Sequence, residues 1–213
     1  MAFVFPRIYP ILDSSFLPAS GRKQFLSDLG ASLADAGVTL LEYRHKTGAD
    51  AELTADAEAL RLAMPEEQVR LILDDRADLV CGVGFDGVHV DAGDVSVREA
   101  RRIVGPGRMV GTFAGSDKLL PGILDEPANY FAIGPVFATT TKETDKRPIG
   151  VEGVRRLRAE AGDDVVLTAA AGITLETAQA VLDAGANAVA VAAAIFGTAD
   201  PAAEFRKWMG RLG

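Results

Sequence analysis

Short apolar runs of five to seven residues recur along the chain, separated by more polar stretches. Runs of this length, rich in β-branched residues and bounded by glycine and polar residues, predict buried strands. Eight strands are predicted in this way, within residues 7–12, 38–44, 69–74, 86–90, 108–113, 130–134, 164–169 and 187–192.

In the polar stretches, apolar residues recur every three or four positions, which predicts amphipathic helices. The clearest lie within residues 22–37, 54–64, 96–104, 151–160, 174–185 and 201–212. Pro121 interrupts the segment after the fifth strand, so we expect that helix to be short. Eight strands alternating with helices in about 200 residues predict an α/β fold with a parallel sheet closed into a (βα)8 TIM barrel. A doubly wound open sheet is the alternative.

Composition agrees with a single barrel domain over residues 1–213, because 48% of the 213 residues are hydrophobic and no linker divides the chain. The net charge of −8 disfavours nucleic acids and anionic membranes as partners, so an anionic ligand must meet a local cationic site. The single cysteine, Cys81, excludes an internal disulfide and suits a reducing cytoplasm. No basic leader opens the chain, and the longest apolar run is about half the length needed to cross a bilayer. We expect a soluble, cytoplasmic protein.

Polar residues follow the predicted strands, at positions that gather on the C-terminal face of a barrel, where barrel enzymes place their active sites. On the second strand, alternation directs Glu42, Arg44 and Lys46 to one face and Tyr43 and His45 to the other. Two cations and one carboxylate then point together. An ordinary ion pair at a solvated strand end is the alternative interpretation.

Three carboxylates, those of Asp74, Asp75 and Asp94, follow the third and fourth strands, and Mg²⁺ prefers such oxygen ligands. Asp75 at the start of a helix is also an ordinary cap. The histidines, His45 and His89, are expected to be structural. No serine or cysteine nucleophile with a histidine stands at the predicted strand ends, so the pattern does not suggest covalent catalysis.

Three loops suit anions. Three threonines and a lysine, residues 139–142, follow the sixth strand, and "AAGIT" and "AAAIFG" follow the seventh and eighth. Barrels often build a phosphate site from the last two of these loops.

Six motifs in order, "EYRHK", "LDDRADL", "DGVHVDAGD", "IGPVFATTTK", "AGIT" and "AVAVAAAIF", resemble the thiamine phosphate synthase family along nearly the whole chain. The "GPVFATTTK" block is the most specific. The resemblance implies a transferase that joins 4-amino-2-methyl-5-hydroxymethylpyrimidine diphosphate to thiazole phosphate. The products would be thiamine phosphate and pyrophosphate, formed by a dissociative substitution. It implies Mg²⁺ as cofactor and small molecules as partners, and leaves open whether the chain forms a homo-oligomer.

The resemblance also assigns roles to residues. It implies that cationic side chains hold the pyrophosphate, namely Arg44, Lys46 and Lys142. It implies that Asp75 and Asp94 bind Mg²⁺. It implies a thiazole phosphate site lined by Thr139, Thr140, Thr141, Gly172, Ala192 and Ala193.

Four residues depart from the family pattern, which usually has Gln, Asn, Ser and Ser where this chain has Glu42, Asp74, Phe113 and Ala193. The two added carboxylates and the lost hydroxyl are expected to weaken diphosphate binding or to change specificity at the pyrimidine site. A related thiazole tautomerase is one alternative, but its acid/base histidine is matched here by Gly115. A non-catalytic phosphate-ligand binder is another, and sugar-phosphate epimerase or aldolase barrels fit this residue set less well.

Overall fold

The computed structural model describes residues 3–139 and 146–213. Within them, eight parallel strands close into a barrel in sequence order, and β8 pairs with β1. This architecture confirms the predicted (βα)8 barrel. The strands are β1 (Ile8–Asp13), β2 (Leu40–Arg44), β3 (Arg70–Asp74), β4 (Gly87–Val90), β5 (Met109–Gly115), β6 (Tyr130–Ile133), β7 (Leu167–Ala170) and β8 (Ala188–Val191).

Helices surround the barrel, six of them where the apolar periodicity predicted helices and two short ones in addition. They are α1 (Arg22–Asp35), α2 (Asp50–Ala63), α3 (Ala77–Val80), α4 (Val97–Val104), α5 (Gly150–Ala161), α6 (Leu175–Asp183), α7 (Ala193–Phe196) and α8 (Pro201–Leu212). The segment after β5 forms only a 3-10 turn, Ile123–Asp125, as Pro121 led us to expect. Across the two described ranges, no helix has the length and apolar character needed to span a membrane.

Two apolar clusters hold these layers together. The larger one lies between the outward faces of the strands and the helices, with Trp208 of α8 completely buried in it. The smaller one fills the barrel interior and includes Tyr9, Ile72 and Tyr130. Side chains therefore plug the lower part of the barrel, and the space above them is open to ligands.

The N-terminal ends of the strands share an arrangement of hydrogen bonds that was not predicted from the sequence. Asn187, just before β8, accepts a hydrogen bond from the Leu167 backbone N–H of β7 at 2.8 Å, and Arg158 of α5 donates to the same side chain. Arg158 also donates to the Gly185 carbonyl at 2.7 Å. One arginine and one amide thus join a helix, two strands and a loop.

The same arrangement occurs twice more, two βα units earlier each time. Arg101 of α4 donates to Asn129, which accepts from Val110 N–H of β5 at 2.8 Å. Arg61 of α2 donates to Asp86, which accepts from Leu71 N–H of β3 at 2.8 Å. These contacts satisfy buried backbone groups at the face opposite the candidate site.

Candidate active site

The carboxyl ends of β1, β2 and β3 form a network of ion pairs. Arg44 donates to Asp13 and lies 3.4 Å from Asp74 through Nε, and Lys46 Nζ lies 3.0 Å from the same Asp74 oxygen and also pairs with Asp75. The predicted common face of Glu42, Arg44 and Lys46 is therefore present. Because both cations already face carboxylates, the site holds alternating charges at close range.

Asp74 is the member of this network whose ionised form is disfavoured by its surroundings. Its side chain is buried, and burial together with the charge of Glu42 raises its pKa to about 7. Its Oδ2 has no well-aligned hydrogen-bond donor despite the nearby Lys46. A buried carboxylate in this state is costly without a further cation.

Asp75 and Asp94 lie together beside this network. Asp75 has a left-handed backbone, φ 67°, held by its N–H donating to the His89 carbonyl at 2.8 Å. Burial, and after it the neighbouring Asp75, raise the pKa of Asp94. Asp75 Oδ1 is buried without a hydrogen-bond partner. Two converging carboxylates with an unsatisfied oxygen fit a hard divalent cation. Asp75 does not cap α3, since no side chain makes the cap hydrogen bond there.

A chain of hydrogen bonds crosses the floor of the site. Tyr9 OH donates to Glu42 Oε2 at 2.5 Å, the hydroxyls of Tyr9 and Tyr130 lie 2.7 Å apart, and His89 Nδ1 lies 3.1 Å from Tyr130 OH. Burial opposes protonation of His89, but the hydrogen bond to Asp91 and the charge of Glu42 outweigh it and raise the pKa to about 9. Protonated His89 then donates to Tyr130, Tyr130 donates to Tyr9, and Tyr9 donates to Glu42.

A cavity of about 310 Å³ opens above this floor. Its ionisable lining combines three carboxylates, those of Glu42, Asp74 and Asp91, with three basic side chains, those of Arg44, Lys146 and His89. The rest of its wall is largely apolar. This combination suits a flat, electron-poor ring that carries hydrogen-bond donors and joins a charged group.

A second cavity of about 590 Å³ adjoins the first. The loops after β7 and β8 line it, including the predicted Gly172, Ala192 and Ala193. Gly172 has φ +67°, and a Cβ there would collide with the Ala138 carbonyl oxygen and approach the Phe137 carbonyl carbon to 2.8 Å. Glycine is therefore required for the close approach of the loops after β6 and β7. Both cavities are lined by Ile11, Arg44, Thr139, Ala170, Ala171 and Ala190.

Phe113 of β5 lines the first cavity. Its ring faces the ammonium group of Lys146, whose Nζ lies 3.8 Å from the ring centroid. From the sequence, Phe113 was expected to remove a hydroxyl near the diphosphate and to insert bulk. The partner, Lys146, was missed.

Of the four residues predicted after the sixth strand, Thr139 lines both cavities. Thr140, Thr141 and Lys142 lie outside the described residues. Their roles stay predictions.

Two acidic residues of the site were also missed. Asp13 ends β1 and pairs with Arg44, and Asp91 follows β4 and lies 3.5 Å from His89 Nε2. Both are polar residues at the ends of strands, where side chains face the site. Asp91 also belongs to the motif "DGVHVDAGD", which contains Asp94. Their positions at the ends of strands are the sequence signal that identifies them.

The described residues include one cluster with metal-ligand chemistry outside the barrel, formed by His45, Glu52 and Asp56. It lies on the outward face of β2. Arg22 pairs with Asp56 and lies 3.3 Å from Glu52, so a guanidinium already balances these carboxylates. Tyr43 OH donates to Asp56 at 2.5 Å. The cluster joins β2 to helices α1 and α2, and the predicted structural role of His45 agrees with this arrangement.

Comparison with known proteins adds independent information. The family described as thiamine monophosphate synthase matches residues 8–195. A thiamine-phosphate synthase of Koribacter versatilis is 39% identical over 188 residues, 88% of each chain. One of Agrobacterium fabrum is 38% identical over 178 residues, 82% of this chain and 81% of the relative. The solved thiamine phosphate pyrophosphorylase of Pyrococcus furiosus superposes with a TM-score of 0.77 at 27% identity and covers 97% of both chains.

Proposed function

The chain belongs to the thiamine monophosphate synthase family, and from that membership and the paired cavities we propose that it joins an aminopyrimidine diphosphate to thiazole phosphate. The products are thiamine phosphate and pyrophosphate. The observation that carries the proposal is the common wall of the two cavities, which includes Arg44 and Thr139 and would allow two separate ligands to meet.

The pyrimidine diphosphate takes the first cavity. Its exocyclic amine and ring nitrogens meet the acidic floor formed by Glu42, Asp74 and Asp91, and its diphosphate meets Arg44 and Lys46 at the rim. Lys142 adds a third cation in the role that the family resemblance implies. The opposed charges orient the substrate, because the donors of the ring and the anionic tail require opposite ends of the site.

The thiazole phosphate takes the second cavity. Its phosphate rests on the loops at Gly172, Ala192 and Ala193, where the absence of large side chains allows a close approach to the backbone. Ala193 lacks the hydroxyl usual in the family, and backbone N–H groups can serve without it. Thr139 lines the side nearest the first cavity. Thr140 and Thr141 keep the role at the thiazole phosphate that the family resemblance implies.

Asp75 and Asp94 are the residues that would hold Mg²⁺. When bound, the ion would neutralise negative charge on the departing pyrophosphate. It would also relieve the raised pKa of Asp94 and the unsatisfied oxygen of Asp75.

The protein side chains then act by electrostatics. As the bond between the pyrimidine methylene and the diphosphate oxygen breaks, Arg44 and Lys46 stabilise the anion that leaves. The carboxylates of Glu42 and Asp74 stabilise the positive charge that spreads into the pyrimidine ring. The thiazole nitrogen, aligned from the second cavity, forms the new carbon–nitrogen bond. No protein nucleophile or strong base takes part in this sequence.

Small-molecule partners, absence of nucleic-acid and membrane contacts, a cytoplasmic location and a single-domain organisation belong to the same proposal. The test is to mix the purified protein with pyrimidine diphosphate, thiazole phosphate and Mg²⁺ and to assay thiamine phosphate, with a metal-free control. Metal-dependent product is expected. Binding of both ligands without any product would overturn the synthase and favour a non-catalytic binder, for which the four departures are the argument.

A further inference from the structure

Thr168 of β7 carries a hydroxyl group that the packing of the barrel does not use. Its side chain is 0% exposed, and within residues 3–139 and 146–213 no hydrogen-bond partner meets its Oγ1. Nearly all buried polar groups in proteins are hydrogen-bonded, and a buried hydroxyl without a partner lowers stability. Valine would fill the same volume without this cost, so the hydroxyl points to a role in binding.

The position of Thr168 on β7 places it in the wall of the first cavity. Ala170, two residues further along the same face of the strand, lines both cavities, so Thr168 lies deeper in the barrel and nearer the floor. Its register partners on the neighbouring strands are Ala132 and Ala188. These small side chains leave room for a flat ring to lie against Thr168.

The hydrogen-bond donors on the floor of the first cavity already have acceptors. Tyr9 donates to Glu42, and Tyr130 and His89 continue the same chain. The Glu42 carboxylate only accepts. An aminopyrimidine carries both kinds of group, because its amine donates and an unprotonated ring nitrogen accepts. The floor can therefore accept from the amine, but the ring nitrogen needs a donor from another part of the wall.

We propose that Thr168 is a substrate-binding residue whose hydroxyl donates a hydrogen bond to one ring nitrogen of the pyrimidine, while the floor accepts from the exocyclic amine. The inference rests on the proposed function for the identity of the ligand. It makes Thr168 a determinant of specificity, because a ring with C–H in place of that nitrogen leaves the hydroxyl unsatisfied when it binds.

The experiment measures binding of the pyrimidine diphosphate with Mg²⁺ by titration calorimetry, without thiazole phosphate, so that no thiamine phosphate forms. Thr168→Val keeps the shape and removes the hydroxyl, and it should weaken binding about tenfold. Thr168→Ser keeps the hydroxyl and should stay within about threefold of the unchanged protein. Inorganic pyrophosphate should bind all of these proteins alike, since the proposed contact is to the ring.

Thr112→Val is the matched control. Thr112 is a buried threonine of β5, and its register partners, Val90 and Phe131, belong to the larger cluster outside the barrel. Its replacement removes one buried hydroxyl at a distance from the cavity and should leave the affinity for the pyrimidine diphosphate unchanged.

Thermal unfolding separates a role in binding from a structural one. Without ligand, Thr168→Val should raise Tm by about 2–4 °C, because it removes an unsatisfied buried hydroxyl and keeps the packing. A hydroxyl that holds the barrel together would give a lower Tm in the same variant. The expected combination is a gain of stability with a loss of affinity, which damage to the fold does not produce.

Pyridine analogues of the substrate, each with C–H in place of one ring nitrogen, test the contact from the side of the ligand. One of the two should bind the unchanged protein about tenfold more weakly than the pyrimidine does. Thr168→Val should bind that analogue and the pyrimidine within about twofold of each other. If both proteins discriminate equally against each analogue, the proposal is overturned.

Wild-type affinity in Thr168→Val, or no binding of the pyrimidine diphosphate by the unchanged protein, also overturns the proposal. The assay of thiamine phosphate separates this failure from that of the proposed function. Normal product formation with an unchanged KM in Thr168→Val removes the role of Thr168 and leaves the synthase standing. Binding that depends on the Thr168 hydroxyl, in a protein that makes no product, does the reverse.

Discussion

The hydroxyl of Tyr9 lies 2.5 Å from Oε2 of Glu42 at the floor of the barrel. Both side chains are buried, and Tyr9 is in turn linked to Tyr130 and His89. The carboxylate that replaces the usual glutamine of the family is therefore held by a directed chain of donors that begins at a protonated imidazole. The hydrogen bond from Tyr9 stabilises the negative charge of Glu42 at the floor of the cavity, and this charge acts on any ligand bound above it.

Glu42→Gln should raise the affinity for the pyrimidine diphosphate. The amide oxygen still accepts from Tyr9, but the negative charge that repels the diphosphate is removed, and we expect KM to fall about tenfold. Steady-state kinetics with thiazole phosphate at saturation gives the value.

Tyr9→Phe is the companion variant. It leaves the Glu42 charge in place without its buried donor, so it should lower the free energy of unfolding by about 1–3 kcal/mol and leave KM unimproved. A Glu42→Gln protein with a raised KM would contradict this prediction and mean that the attraction between the carboxylate and the donors of the ring outweighs its repulsion of the diphosphate.

Asp75→Asn should weaken divalent-metal binding at least about tenfold, since one full charge of the two-carboxylate site is lost. Asp94→Asn should behave alike. Electron paramagnetic resonance of added Mn²⁺ measures the binding without any substrate. Asp117→Asn, an exposed acid in the loop after β5, is the control for net charge. Equal Mn²⁺ affinity in all four proteins would place the metal elsewhere.

Gly172→Ala should destabilise the protein more than an alanine at another left-handed glycine. Gly172 and Gly21 have φ of +67° and +72°, but only at Gly172 does a Cβ meet neighbouring atoms within 4 Å. The backbone strain of about 1–2 kcal/mol is common to both. Urea unfolding should therefore show the larger loss for Gly172→Ala, together with a raised KM for thiazole phosphate. Equal losses would mean that the loops after β6 and β7 separate easily.

Asn187→Ala should lower the free energy of unfolding by about 1–3 kcal/mol, because it leaves the Leu167 N–H and part of the Arg158 guanidinium without their acceptor. Asn187→Asp should be tolerated, since Asp86 plays the same part beside Arg61. Catalysis should survive in both, as these residues lie at the opposite end of the barrel. Chemical denaturation and an activity assay check the two statements. If Asn187→Asp lowers the free energy of unfolding as much as Asn187→Ala does, the three arrangements are not equivalent.

The order and number of strands were predictable from the sequence because burial on both faces of a parallel sheet leaves a local signature, an apolar run that ends in polar residues. The same signature located Glu42, Arg44, Lys46, Asp75 and Asp94, since strand direction alone sends strand ends to one face. Alternation within β2 also separated Glu42 and Arg44 from Tyr43. Pro121 correctly indicated that the helix after β5 is short.

The contacts between these positions were decided by the tertiary structure. Tyr9 meets Glu42, Lys146 meets Phe113 and Arg158 meets Asn187 across 33, 33 and 29 positions of the sequence, separations at which no local pattern specifies a partner. The raised pKa of Asp74 likewise arises from burial and from Glu42 on the neighbouring strand. That strand-end groups form the site, at one face of the barrel, followed from the sequence, because chain direction is local information. How their charges are balanced followed only from the closed barrel, because electrostatic energies depend on distances that closure sets.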